Sequence, residues 1–165
     1  NRVMLSRVLL PGAVKQASAR REPLGCILIS PEGLAEINGK YGRSRGDTLI
    51  AKFSECLKEL LRKGERLCHL EGVNFALVVP KPPPHQLQKR AESLHKTLTQ
   101  RRFELDGEAF SLKVSIGVAG LESVSKGDAT KRTQEALYTH SVQALDTAKL
   151  QGNRVEFNKE LSASP

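Results

Sequence analysis

The side chains able to do chemistry in this chain are few and dispersed. Cys26, Cys56 and Cys68 lie far apart with no CxxC or CxxH spacing, so they supply neither a disulfide framework nor a zinc site. They are expected to be reduced and buried. Lys and Arg outnumber Asp and Glu by 26 to 18, a formal charge of +8, which raises the question of a nucleic-acid partner. The basic residues fall as short pairs on different predicted elements, at Arg20-Arg21, Lys89-Arg90, Arg101-Arg102 and Lys131-Arg132, and aromatic residues make up only 4% of the chain. That is too few for a base-stacking platform, so these pairs read as solvated faces and no nucleic-acid partner is expected. A basic excess also suits a small anionic nucleotide. One polar stretch, Glu71-Gly72-Val73-Asn74, separates two short apolar runs and reads as the exposed tip of a β-hairpin.

The elements that must position these groups follow from the apolar periodicity. A length of 165 residues and 39% hydrophobic content fit one compact domain around a single sheet. No run of eighteen apolar residues and no signal-like opening occurs, so no membrane span is expected in this segment and a cytoplasmic setting is. Met4, Leu5, Val8, Leu9 and Val14 predict a helix that Pro11 interrupts; its opening, Asn1-Arg2, reads as cut from something longer. Leu24 to Ile29 predicts a buried strand, and Leu34 to Lys40 a helix ending at Tyr41-Gly42. Asp47 then precedes a helix carrying Leu49, Phe53, Cys56, Leu57 and Leu60 and ending at Lys63-Gly64. Strands at Leu67–Leu70 and Phe75–Val79 flank the polar tip, and Gln86–Gln100 is an amphipathic helix with Leu87, Ala91, Leu94 and Leu98 inward. Phe103–Glu108 and Phe110–Gly120 form a second hairpin about Asp106-Gly107, a dipeptide suited to positive φ. Leu121–Thr130 is a loop, Gln134–Gln151 a helix, Val155–Phe157 a last strand and Asn158–Pro165 a tail. This order predicts an α/β (α+β) domain with a mixed central sheet, helices packed around it and an exposed β-hairpin.

Four stretches in register resemble the signatures of GGDEF domains, the diguanylate cyclases that join two GTP molecules into cyclic di-GMP. Asn1-Arg2 resembles the end of the family's LTGLxNR opening, and Ile37-Asn38 through Tyr41-Gly42 to Gly46-Asp47 its IND-x-YG-xxx-GD segment. Ser115-Ile116-Gly117-Val118-Ala119 resembles its SIGVA strand, and Ala144-Leu145 through Ala148-Lys149 to Gly152 its ALYxAKxxG helix. Glu71-Gly72-Val73-Asn74-Phe75 then stands where the family's name-giving motif is expected. The resemblance implies the nucleotide-cyclase, palm-like GGDEF fold, with the domain over residues 1–158 and a tail or linker over 159–165.

It also implies a chemistry whose parts can be carried over one residue at a time. The reaction attacks an α-phosphate with a ribose hydroxyl and needs divalent metal held by carboxylates. The family's ligand at the end of the first strand is Ser30 here, the acidic residue at the fourth place of the hairpin motif is Asn74, and the catalytic acidic residue at the third place is Val73. Glu32 and Glu71 remain nearby without standing where the family's ligands do. Mg2+ binding is therefore expected to be lost or weak, no cofactor is expected, and diguanylate cyclase activity is expected to be lost.

The phosphate clamp is absent too, with Leu34 and Ala35 in place of its aromatic and lysine. Asn38 and Asp47 align with the family's guanine-recognising pair; read from local signals alone, Asp47 would cap one helix and Asn38 terminate the other. Lys149 aligns with a phosphate-contacting lysine, although a lysine in a last helical turn also complements the helix dipole. The arginine expected four residues later is Asn153, with Arg154 beside it. Arg62-Lys63-Gly64-Glu65 resembles the RxxD of the family's inhibitory site for cyclic di-GMP, and His69 replaces the arginine before the motif. The implied role is a catalytically inactive regulatory domain of a cyclic di-GMP signalling protein, with a flanking domain such as EAL. The alternatives are a GTP/GDP-binding sensor and a divergent active cyclase using Glu32 and Glu71.

Overall fold

The computed structural model describes residues 10–20, 22–70, 72–83, 85–121 and 131–158. Its elements are α1 Leu10–Arg20, β1 Leu24–Glu32, α2 Leu34–Tyr41, α3 Arg43–Glu59, β2 Arg66–His69, β3 Phe75–Pro80, α4 Gln86–Gln100, β4 Arg102–Leu105, β5 Glu108–Ser111, β6 Lys113–Leu121, α5 Lys131–Gln151 and β7 Val155–Asn158. Five strands form one sheet in the order β2-β3-β1-β6-β7, and β4 and β5 pair separately. The large sheet is mixed: β2, β3, β1 and β6 run antiparallel to their neighbours, and β7 joins β6 in parallel.

The middle strand explains the sheet. Every residue of β1 from Leu24 to Pro31 is buried, which is why it reads as a continuous apolar run rather than an alternating one. Alternate residues serve two cores. Ile27 and Ile29, with Phe75, Leu77 and Val79 of β3, pack under Leu49, Phe53 and Leu57 of α3 and Leu87, Ala91, Leu94 and Leu98 of α4. Leu24, Cys26 and Leu28, with Ala76 and Val78, pack on the other face against Ala17 of α1 and Leu137 and Leu145 of α5. At Gly117 of β6, a Cβ would overlap the backbone of Leu145 and the carbonyl oxygen of Ser141. Helix α5 therefore lies directly on the strand, and only a glycine admits that approach.

Several boundaries differ from the sequence expectation. Helix α3 begins at Arg43 with Gly42 before it, so Asp47 lies a turn inside the helix and caps nothing. Asn38 likewise sits within α2, which Gly42, at φ 93°, terminates. Helix α3 stops at Glu59, and Gly64, at φ 87°, belongs to the following turn. Strand β1 runs on through Ser30, Pro31 and Glu32 because β6 keeps pairing with it as far as Lys113. Pro31 falls beyond the β3 ladder, where its missing N–H faces no partner on that side. Asp106 and Gly107 both have positive φ, as the expected tight turn requires. The strand expected from Phe110 to Gly120 is two strands, because buried Leu112 carries the chain from the small sheet into the large one. Helix α1 continues past Pro11 to Arg20, longer than its apolar pattern suggested. Asn1, Arg2, Glu71, the 122–130 loop and the 159–165 tail lie outside the described residues. Among the described residues no helix is long and apolar enough to cross a membrane.

Candidate functional site

The ends of β1 and β3 meet at one edge of the sheet. Ile29 pairs with Phe75, so the next step of the register sets Ser30 opposite Asn74, while Ser30 faces Ser115 on its other side. Both Ser30 and Ser115 are buried. Asn74 closes the hairpin through its carbonyl, which accepts from the Leu70 amide at 2.8 Å. Its side-chain Oδ1 is buried and has no hydrogen-bond partner. Val73 turns inward and packs, partly buried, against the larger core. Gly72 takes φ 71° in the turn, a conformation that costs a glycine little.

The hairpin is anchored below this tip. Phe75 is fully buried, stacks on His69 with centroids 4.5 Å apart, and lies 5.6 Å from the Phe53 ring. The Nε2–H of His69 donates to the Gly72 carbonyl at 3.0 Å, which ties the stacked ring to the turn. The hairpin is thus held by packing and backbone bonds, with no carboxylate contributed by Val73 or Asn74.

Glu32 does not turn toward this edge freely. Its Oε1 accepts a 2.6 Å hydrogen bond from the Ser115 hydroxyl, and it pairs in register with exposed Lys113. A Cβ at Gly152, just past α5, would lie 3.7 Å from Glu32 Oε2, so the C-terminal end of that helix borders the same region. Lys149 is exposed in the last turn of α5 and makes no ion pair among the described residues. Asn153, at φ 51°, accepts through Oδ1 from the Val114 amide at 3.1 Å. Arg154 pairs with Glu156 at 2.9 Å. Among the described residues no group of three or more His, Cys, Asp and Glu is placed to hold a metal ion.

A second corner lies where α2 turns into α3. The Oδ1 of Asn38 is buried without a partner, and a Cβ at Gly46 would overlap it, so the missing side chain of Gly46 is what admits the amide. Asp47 follows, exposed and without a hydrogen bond or ion pair among the described residues. The corner is braced from outside: Tyr41 meets Phe110 edge-on at 5.4 Å, and Arg45 pairs with Asp106 at 3.1 Å. An exposed carboxylate such as that of Asp47 can accept from the paired N–H groups of a planar base, and the Asn38 amide, its Oδ1 closed in against Gly46, lies against the residue that precedes Asp47 in the chain.

The Arg62–Glu65 stretch is tied up internally. Glu65 accepts from Arg90 Nε at 2.9 Å, from Arg90 Nη2 at 2.8 Å and from the Arg62 amide at 2.8 Å. Arg90 Nη2 also donates to the Leu60 carbonyl at 2.6 Å. Burial raises the Glu65 pKa, but the hydrogen bonds from Arg90 and Arg62 and their charges outweigh it and hold the carboxyl below its ordinary value. The Arg62 side chain is exposed. Arg90 is the residue that the scattered-pair reading missed. The signal was its place one turn after Leu87 and next to Ala91, on the inward stripe of α4.

Residues 1–155 match the family model described as diguanylate cyclase, GGDEF domain. Among curated proteins, an uncharacterized membrane protein of Staphylococcus aureus (strain USA300) is 26% identical over 146 residues, which are 87% of this chain and 40% of that protein. The chain thus spans about two fifths of that relative's length. Among solved structures, the GGDEF domain of PA1120 (TpbB or YfiN) from Pseudomonas aeruginosa superposes with a TM-score of 0.80 at 24% identity, over 94% of this chain and 90% of that one. The active GGEEF domain of a diguanylate cyclase from Vibrio cholerae does so with a TM-score of 0.76 at 22% identity, over 92% of each chain. At these identities the likeness to the solved structures is one of fold.

Proposed function

This chain belongs to the GGDEF family of diguanylate cyclases, and we propose that within it the chain is a regulatory domain that does not cyclise GTP. One observation carries the reading: the two neighbouring strand ends hold Ser30 and Asn74, both neutral, and the Asn74 Oδ1 is buried without a partner. Phosphoryl transfer depends on charge placed around the reacting phosphate. A carboxylate about 4 Å from a cation gains on the order of 4 kcal/mol per unit charge at an effective dielectric near 20, and a hydroxyl or amide only a fraction of that. Val73, packed partly buried against the core, has no basic group with which to take the proton of a ribose hydroxyl. The Vibrio cholerae domain named as active is a GGEEF domain, whereas this chain reads Glu71-Gly72-Val73-Asn74-Phe75.

Its role would then be exerted on neighbouring segments of a longer cytoplasmic signalling protein, an EAL-type domain being one fit. The membrane protein matched over two fifths of its length is consistent with such an arrangement. The test is to incubate the purified chain with GTP and magnesium or manganese and search for cyclic di-GMP by chromatography. No product is expected; steady product formation overturns the reading.

A second reading is favoured by the α2–α3 corner: GTP or GDP is bound through Asn38 and Asp47 without turnover, with Lys149 near the phosphates. Among the described residues Asp47 neither caps a helix nor pairs with a cation, and the Asn38 Oδ1 is buried without a partner. Calorimetric titration with GTP decides it, with heat expected from the wild type and none from Asp47→Ala. Equal heats from both would end it. The Arg62–Glu65 stretch is the weaker candidate for cyclic di-GMP, because the Glu65 carboxylate already accepts three hydrogen bonds.

A further inference from the structure

We infer that the nucleotide this domain takes is guanine nucleotide free of divalent metal, so that its binding is indifferent to magnesium. The inference rests on the guanine-binding reading above and deepens it. Magnesium gives up water reluctantly and is bound through charged oxygens in a near-octahedral set. The donors at this edge do not fit it: a serine hydroxyl at Ser30, an amide at Asn74 and an aliphatic side chain at Val73. Glu32 is already engaged by the Ser115 hydroxyl and faces Lys113 in register.

The same substitutions remove the reason a nucleotide would need the metal. Two carboxylates beside a triphosphate repel it unless a cation lies between them, and here Ser30 and Asn74 are neutral while the carboxylate of Glu32 is held by the Ser115 hydroxyl. Positive charge stands near this edge instead: Lys113 is exposed and pairs in register with Glu32, and Lys149 is exposed in the last turn of α5, whose end at Gly152 borders Glu32. Base recognition at Asn38 and Asp47 lies on a different element pair and owes nothing to a metal. A site that has lost its acidic edge and kept its base corner therefore accepts the bare anion.

The experiment titrates GTP into the purified chain by calorimetry, once in EDTA and once in millimolar magnesium, with Asp47→Ala and the pair Ser30→Asp with Asn74→Asp as variants. Wild-type affinities within about threefold of each other in the two buffers are expected. In the acidic pair, affinity in EDTA should fall at least about tenfold and recover with magnesium. Asn74→Asp alone should show the same trend more weakly, which keeps the test open if the pair fails to fold, and circular dichroism reports folding in each case. Binding of the wild type only with magnesium overturns this inference and leaves the guanine-binding reading standing. Binding in neither buffer removes the guanine-binding reading and this one with it.

Discussion

Removing the Glu65 carboxylate should unsettle this domain more than any other single charge removal described. Its side chain is 4% exposed and that of Arg90 7%, and the two meet through two hydrogen bonds of 2.8 and 2.9 Å. In Glu65→Ala the guanidinium stays buried with only the Leu60 carbonyl to answer it. Breaking one side of a buried pair costs about 3–5 kcal/mol, and the surviving carbonyl bond argues for the lower end, about 3 kcal/mol. For a chain of this length that is a fall in Tm of roughly 6–12 °C. Replacing both partners with apolar groups, Glu65→Leu with Arg90→Met, should cost less than the single change, because no buried charge is left over. Urea unfolding followed by circular dichroism measures both, provided the slope with denaturant is unchanged. The acid side has a definite sign. The folded pKa of Glu65 lies below its unfolded value, so the stabilisation is complete above the ordinary glutamate range and is lost as the pH falls through the folded value. The gap between wild type and Glu65→Gln should therefore close in acid. A Glu65→Ala cost under about 1 kcal/mol at neutral pH would mean that the pair is not buried as described, since exposed pairs are worth no more than that.

Gly117→Ala should drive a methyl group into the Leu145 backbone and cost about 1–3 kcal/mol or more, read as a lowered Tm; an unchanged Tm would mean that α5 does not lie on β6 as described. Gly46→Ala should leave stability within about 1 kcal/mol of wild type, because the helical preference of alanine offsets the displaced amide. The same change should weaken GTP binding about tenfold or more by calorimetry, since the added methyl takes the place of the Asn38 Oδ1. Burial, only partly offset by a hydrogen bond with Ser141, raises the Cys26 pKa to about 11, so its thiol stays protonated through mildly alkaline pH. Cys26, Cys56 and Cys68 are all buried, and a colorimetric thiol reagent should find none of them quickly in the native chain and all three after unfolding. A fast-reacting thiol in the native state would contradict that.

The sequence was most readable where one local signal acted alone. Gln86–Gln100 matched its amphipathic pattern end to end, and Asp106-Gly107 turned as its φ preferences require. It misled where a residue served two masters. Asp47 looked like a cap because it stands before the apolar stripe of α3, yet the helix starts earlier, at Arg43, where the residues are polar and carry no periodic signal. Leu112 looked like the middle of one strand because nothing in a run of alternating residues marks the place where a chain changes sheets. The replacements at Ser30, Val73 and Asn74 were visible as residue types. Their consequences were not: the register that sets Ser30 against Asn74, the inward turn of Val73 and the hold of Ser115 on Glu32 all depend on tertiary pairing. The Glu65–Arg90 pair was hidden for the same reason, since it joins residues 25 positions apart.

On the reading proposed above, the neutral residues Ser30 and Asn74 leave this domain unable to join two GTP molecules. The most direct measurement is the initial rate of cyclic di-GMP formation across a wide series of protein concentrations, with saturating GTP and either magnesium or manganese. A condensation that needs two copies of the chain would make that rate climb with the square of concentration while the copies are mostly apart, so activity that a dilute assay hides would emerge at the concentrated end of the series. No product is expected at any concentration. A rate that rises with concentration and survives repurification would contradict it.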